Sequence, residues 1–283
     1  MGNPLVEIDS LSYTYADEGS SPVAALHDVN AVISEKSYVA LIGPNGSGKS
    51  TLAKCLNGLL LPTSGTVRVA GMDTRDASQQ LAIRATIAMA FQNPDNQFVA
   101  TTVEEEVAFG PENLGVPHPE LRERVRIALE ATDLLKRSGD SPRMLSAGEK
   151  ARLAVAGLLA MRPRCLVLDE STAMLDPVSR ASLGDLLGRL HDDGLAIVLI
   201  THYMEEAAKA EQVLVLHEGH LLLQGSPLEV FAQGDILRSI GLAPPPALAI
   251  SHGLQRRGAS IKPALTADDL VGTVLSIQKR SRV

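Results

Sequence analysis

The run Gly43-Pro44-Asn45-Gly46-Ser47-Gly48-Lys49-Ser50-Thr51 constrains this chain more than any other stretch. Gly43, Gly48, Lys49 and Ser50 fit the pattern G-x-x-x-x-G-K-[ST]. In that pattern small residues let successive backbone N–H groups turn inward around a polyphosphate, the lysine reaches the β- and γ-phosphates, and the hydroxyl holds Mg²⁺. The flanks agree. Residues 39–42, Val-Ala-Leu-Ile, suit a short buried strand, and residues 51–60 suit a helix whose N-terminal dipole favours an anion. A strand, a glycine-rich loop and a helix in that order imply an α/β core with a nucleotide at the loop.

The bulk properties narrow the setting. At 283 residues the chain can bury one large core, with or without a small appended domain. A net charge of −7, with no run of Lys and Arg interleaved with aromatics, argues against a nucleic-acid partner. Cys55 and Cys165 both sit in apolar stretches, which suits free thiols in a reducing compartment better than a disulfide. No apolar run approaches the roughly 18 residues of a membrane helix. Residues 1–6 lack the charged-then-apolar pattern of a secretion signal, so the cytosol is the expected compartment.

Along the chain, residues 5–8 and 25–33 alternate as strands around a turn at 16–22. Tyr13 and Tyr15 share one face of an extended segment. With only 3% aromatics and no tryptophan in the chain, they are candidate platforms for a nucleotide base. Tyr15 is the better candidate, since Tyr13 suits plain packing equally well. Residues 66–70 predict a strand of a second, antiparallel sheet, residues 74–84 a helix, and residues 86–91 a buried strand delivering Gln92. Thr102 and Glu105 have capping-box spacing, residues 119–137 are amphipathic, and residues 151–161 predict a buried helix. The apolar run 165–168 ends in Asp169-Glu170, a central parallel strand with two carboxylates where open α/β sheets bind ligands. Asp176-Pro177 opens another helix, and residues 195–200 form a strand delivering His202. Residues 213–216 and 219–223 predict a hairpin, Pro244-Pro245-Pro246 a stiff linker, and the remainder a small tail.

The ordered set is the phosphate loop, Gln92, the Leu-Ser-x-Gly run at 145–148, Asp169-Glu170, Asp176 and His202. Over about residues 5–230 it resembles the ATP-binding-cassette (ABC) ATPases. The runs Phe91-Gln92-Asn93-Pro94-Asp95-Asn96-Gln97-Phe98, 103–110 and 169–177 resemble the ATPase subunits of energy-coupling-factor importers of vitamins and metals. The resemblance implies a P-loop NTPase (RecA-like) α/β core with an antiparallel β subdomain at 1–91 and 163–225. It also implies an α-helical signature subdomain at 92–162 and a C-terminal appendage at 226–283, for which dimerisation is one reading.

The same resemblance implies roles. Glu170 would be the general base on the attacking water, and His202 would contact the γ-phosphate. Gln92 would touch both water and Mg²⁺ while sensing a membrane partner. Ser50, Gln92 and Asp169 would hold Mg²⁺. Tyr15, the residues from Gly43 through Thr51 and Asp176 would bind ATP, with Ser146 and Gly148 completing the site of the other subunit in a head-to-tail dimer. The implied partners are a second cassette ATPase, a membrane-embedded scaffold and a substrate-binding membrane protein, with the chain peripheral on the cytoplasmic face. A cobalt- or nickel-type importer ATPase, or another ABC transporter subunit, is the alternative within transport. A P-loop kinase would leave residues 145–149 unexplained, and a DNA-repair or translation cassette would want a coiled-coil insert or a second cassette.

The signature departs from Leu-Ser-Gly-Gly-Gln at Ala147 and Glu149. Glu149 keeps capping-box spacing to Ser146 but adds negative charge near a partner's triphosphate, which disfavours binding there unless Lys150 or Arg152 offsets it. This asymmetry favours a heterodimer over a homodimer. Tyr203 stands where Asp is frequent after the histidine, and the sequence suggests no mechanism for it.

Overall fold

The computed structural model describes residues 3–16, 21–93 and 97–280. Residues 17–20 of the expected first turn, residues 94–96 after Gln92, and both extreme ends lie outside them.

Alternating side chains build the first sheet. Strands β1 (Pro4–Tyr15) and β2 (Val23–Ser34) pair antiparallel and turn Val6, Ile8, Leu11, Leu26, Val29 and Ile33 into the core. After β3 (Tyr38–Ile42) and helix α1 (Lys49–Leu56), strands β4 (Ser64–Val69) and β5 (Met72–Asp73) return to this sheet, giving the antiparallel order β2-β1-β4-β5. β1 runs on through the tyrosine segment because Ser10, at φ +49, makes a bulge there, its N–H held by Asn30 Oδ1 at 2.8 Å.

Helix α2 (Gln80–Thr86) leads into β6 (Ile87–Ala90). Three helices follow, α3 (Val103–Asn113), α4 (His118–Ala131) and α5 (Ala147–Ala160), around their own core of Val103, Val107, Leu121, Leu129 and Leu153. Next come β7 (Cys165–Asp169), α6 (Pro177–Asp192), β8 (Ala196–Ile200), the single turn α7 (Met204–Ala207), β9 (Gln212–His217) and β10 (His220–Gly225). The second sheet has the order β10-β9-β3-β8-β7-β6, parallel except for the β9-β10 hairpin. Every residue of β3, β6, β7 and β8 is buried, as parallel strands covered on both faces require.

The chain closes with α8 (Pro227–Ala232), α9 (Gly234–Ser239), α10 (Pro246–Arg256) and α11 (Ala267–Arg280). Phe231, Leu237 and Leu248 are fully buried in the core beneath the parallel sheet. Such burial stabilises by about 1.5–3 kcal/mol per side chain. The last proline of the expected stiff linker, Pro246, is the first residue of α10, where its missing N–H costs nothing. Two helix boundaries also differ from expectation. α1 stops at Leu56 rather than residue 60 because Gly58 turns left-handed at φ +68 and Asn57 Oδ1 accepts the Leu59 N–H. Residues 74–79 are not helical because Asp73 and Asp76 accept the N–H groups of Arg75 and Ser78, each two residues on. Cys55 and Cys165 are free and buried, which pushes both thiols up to about 12. Among the described residues no helix is long and apolar enough to cross a membrane.

Candidate functional site

The loop after β3 is packed so tightly that two of its positions admit only glycine. A Cβ on Gly43, at φ +155, would lie 2.2 Å from the Leu216 carbonyl oxygen. On Gly48, at φ +101, it would lie 2.6 Å from that of Ala25. Between them Pro44, Asn45, Gly46 and Ser47 form a turn closed by the Ser47 N–H on the Pro44 carbonyl at 3.2 Å. The Ser47 hydroxyl is buried without a partner. Lys49 is only 4% exposed and donates to the Gly43 and Pro44 carbonyls, each at 2.9 Å. Burial lowers its pKa, while Glu170 and Asp169 pull it back up. Thr51 shares a 3.1 Å hydrogen bond with the Tyr15 hydroxyl, and the Tyr15 ring is partly exposed against the edge of Tyr13. Tyr13 packs on the core.

Strand order brings the remaining chemistry to this loop. β3, β8, β7 and β6 are parallel neighbours, so their C-terminal ends deliver the loop, His202, Asp169-Glu170 and Gln92 along one edge. The Ser50 hydroxyl donates to Asp169 Oδ1 at 3.0 Å. Burial raises the Asp169 pKa, with the Ser50 bond acting against it. Glu170 holds a left-handed backbone at φ +51, the kind of strain that is common where a side chain must be aimed. Its Oε2 accepts from Gln92 Nε2 at 2.9 Å, and its Oε1 lies 2.6 Å from His202 Nε2 and 3.9 Å from Lys49 Nζ.

The signature segment is built differently. Ser146 caps α5, and a reciprocal capping box forms as Ser146 Oγ accepts the Glu149 N–H while Glu149 Oε2 accepts from both Ser146 N and Oγ at 2.8 Å. Glu149 Oε1 accepts from Arg137 at 2.8 Å, and Arg137 also pairs with Asp140. These bonds, led by that to the Ser146 backbone, hold the Glu149 carboxyl below the usual range. The main cationic offset is therefore Arg137 rather than Lys150 or Arg152. Arg152 adds less and lies 3.8 Å from Asp133. Gly148 packs on the start of α6, where a Cβ would lie 2.7 Å from Ser179 Oγ. Asp176 caps α6, accepting from the Val178 and Ser179 N–H groups and from Ser179 Oγ, and the Ser179 bond lowers its pKa most. The bonds of Ser146 and Asp176 thus close within their own helix starts.

Three contacting residues carry no motif: Arg137, Arg180 and Glu206. Tyr203 is held by Arg180. The Arg180 guanidinium carbon sits 3.4 Å from its ring centroid, and Arg180 donates to its hydroxyl at 2.7 Å.

A glycine-bound phosphate loop at a helix start, with carboxylates at the end of a strand one removed in the same parallel sheet, defines a P-loop nucleotide-binding ATPase. Comparison with known proteins gives the same class and refines it. The ABC transporter family model matches residues 26–173. The chain is 47% identical over 286 residues to an energy-coupling factor transporter ATP-binding protein, EcfA1, of Symbiobacterium thermophilum, covering 99% of this chain and 100% of that one. Among solved structures it resembles cbiO1 from Clostridium perfringens, described as part of the ABC transporter complex cbiONQ. There the TM-score is 0.76 at 34% identity, over 89% of this chain and 99% of that one. It also resembles the ATP-binding cassette MJ0796, solved as a dimer in a post-hydrolysis state bound to ADP and phosphate. There the TM-score is 0.71 at 28% identity, over 78% of this chain and 98% of that one. The chain belongs to the ABC transporter family and, within it, to the energy-coupling-factor transporter ATP-binding proteins. It binds ATP and is an ATPase.

Proposed function

We propose that this subunit hydrolyses ATP at the cytoplasmic face of the membrane to drive uptake of a vitamin or another micronutrient. The observation that supports it most is the meeting of Gln92, Glu170 and His202 beside Lys49 at adjacent strand ends.

Phosphoryl transfer is mainly positioning and electrostatics. Gly43 through Thr51 surround the triphosphate with N–H groups at the start of α1, and Lys49 turns from its carbonyl partners to the β- and γ-phosphates. Tyr15 offers its ring to the base. Glu170 orients and deprotonates the attacking water, His202 holds the γ-phosphate, and Gln92 links the water to the state of the membrane partner. The donor set also fits Mg²⁺. Ser50 and Asp169 are already bonded, Gln92 adds an amide oxygen, and Mg²⁺ takes few protein oxygens alongside substrate phosphates and water. Among the described residues no cluster of three or more His, Cys, Asp or Glu able to hold a metal occurs. When bound, the ion would neutralise phosphate charge.

The likeness to a dimeric cassette supports a head-to-tail dimer in which Ser146 and Gly148 of one subunit complete the site of the other, with Asp176 at the interface. The altered Ala147 and Glu149 favour a heterodimer. A half-open cavity of about 460 Å³ beside Gln92, lined by Phe91, Phe98, Phe109, Leu153 and Met161, suits docking of a membrane-embedded scaffold, which in turn carries a substrate-binding membrane protein. The exposed stripe Val271, Val274 and Leu275 on α11 supports dimerisation through the appendage. Glu170→Gln is expected to retain ATP binding and lose about 10²–10⁴-fold in turnover; substantial remaining turnover reassigns the base. Affinity purification in detergent is expected to recover a second cassette and a membrane scaffold, and recovery of a lone monomer refutes the partners.

A further inference from the structure

Thr172 and Thr201 are two of the few fully buried polar side chains, at 2% and 1% exposure. Both hydroxyls donate to the same atom, Glu206 Oε2, the Thr172 bond being 3.0 Å long. Thr172 stands two residues after Glu170, and Thr201 stands one residue before His202. One carboxylate oxygen on α7 therefore bridges the loop after β7 to the end of β8. Thr201 Oγ1 also accepts the Tyr203 N–H at 3.0 Å. Arg180, stacked on Tyr203, donates to the Leu175 carbonyl at 2.9 Å, next to Asp176. The bridge thus extends to the start of α6.

This arrangement is costly for folding alone. Glu206 is half-buried, but its Oε1 is fully enclosed and has no partner on the wall of a cavity of about 200 Å³ shared with Tyr38, Arg180, Leu187 and Lys209. An unpartnered buried carboxylate oxygen carries a desolvation cost, and an apolar side chain would fill this space without it. The single turn of α7 needs no acid there. Costs of this kind persist where they serve a site.

We infer that Glu206 is a positioning residue for ATP hydrolysis: by holding Thr172 and Thr201 together it sets the separation of Glu170 and His202. The inference rests on the reading of Glu170 as base and His202 as γ-phosphate contact. Displacing a catalytic group by about 1 Å costs on the order of 10²-fold.

The test measures steady-state ATPase kinetics of the assembled transporter carrying full-length Glu206→Ala, Glu206→Gln or Thr172→Val. Glu206→Ala is expected to lower kcat at least about tenfold with KM for ATP within about twofold. Glu206→Gln, whose amide oxygen can accept both hydroxyls, is expected to recover kcat to within about threefold of wild type. Thr172→Val, which keeps its volume, is expected to lower kcat as well, and the double variant with Glu206→Ala to be no worse than about twofold below the poorer single. Should Glu206→Ala fail to assemble, Glu206→Gln and Thr172→Val decide. Wild-type kcat in Thr172→Val, equal losses in Glu206→Ala and Glu206→Gln, or a change confined to KM overturns the proposal. Glu170→Gln assayed in parallel separates the two readings. If it stays active, the assignment of the base has failed. If it is inactive while Glu206→Ala matches wild type, only the bridge has failed.

Discussion

The phosphate loop and the signature segment are both helix starts, α1 and α5, yet they are finished in opposite ways. At the loop, neighbouring strands and carbonyls crowd Gly43 and Gly48, Lys49 is buried, and Ser47 keeps a buried hydroxyl without a partner. At the signature, Ser146, Glu149 and Arg137 satisfy one another near the surface. The carboxylates follow suit: Asp169 is raised by burial, whereas Glu149 is lowered by N–H and O–H donors. One half-site is pre-formed and holds polar groups at a cost. The other is locally content, and in the proposed dimer it meets a ligand presented by a second subunit.

Gly48→Ala should break the first half-site most severely. The added Cβ meets backbone that cannot yield, and ATP affinity of the purified chain should fall by at least about 100-fold in equilibrium dialysis. Gly148→Ala meets only the Ser179 side chain and should leave that affinity at the wild-type value; equal losses in the two variants would erase the distinction.

Next in size is the double substitution Ala147→Gly with Glu149→Gln. It removes a methyl and a charge from the surface offered to the partner's nucleotide, and turnover of the assembled complex should rise severalfold, on the order of 2–10-fold. Unchanged turnover would show that the departure from the usual signature is neutral.

Arg137→Gln exposes the Glu149 charge and should lower complex turnover by about two- to fivefold, with the loss vanishing in a Glu149→Gln background. A loss that persists there would mean that Arg137 acts through something else.

The smallest effect is in pH dependence. Glu149 has a folded pKa below its ordinary value, so it contributes stability above that value and loses it as pH falls through the folded one. Between about pH 7 and pH 3, Glu149→Gln should lose slightly less melting temperature than wild type, on the order of a degree. A larger loss in the variant would reverse the assigned sign.

Much of this was legible in the sequence. The apolar runs 165–168 and 195–200 read as buried strands, and the capping boxes at Thr102–Glu105 and Ser146–Glu149 follow from spacing alone. The helix expected at 74–84 was misplaced because two aspartates compete for backbone N–H groups, a local rule outweighed by apolar content in a coarse reading. Arg137, Arg180 and Glu206 were not legible, since no short-range pattern distinguishes an arginine or glutamate on a helix face from a solvated one.

What the sequence alone determined is what dihedrals and short-range bonds dictate: the glycine cradle, the helix caps and the residues that end strands. Tertiary structure decided the electrostatics. Glu170 receives Gln92 from 78 residues away and His202 from 32, and Arg137 reaches Glu149 across 12. A charge is governed by whatever surrounds it in space, and strand order, not sequence neighbourhood, places the groups that surround Glu170.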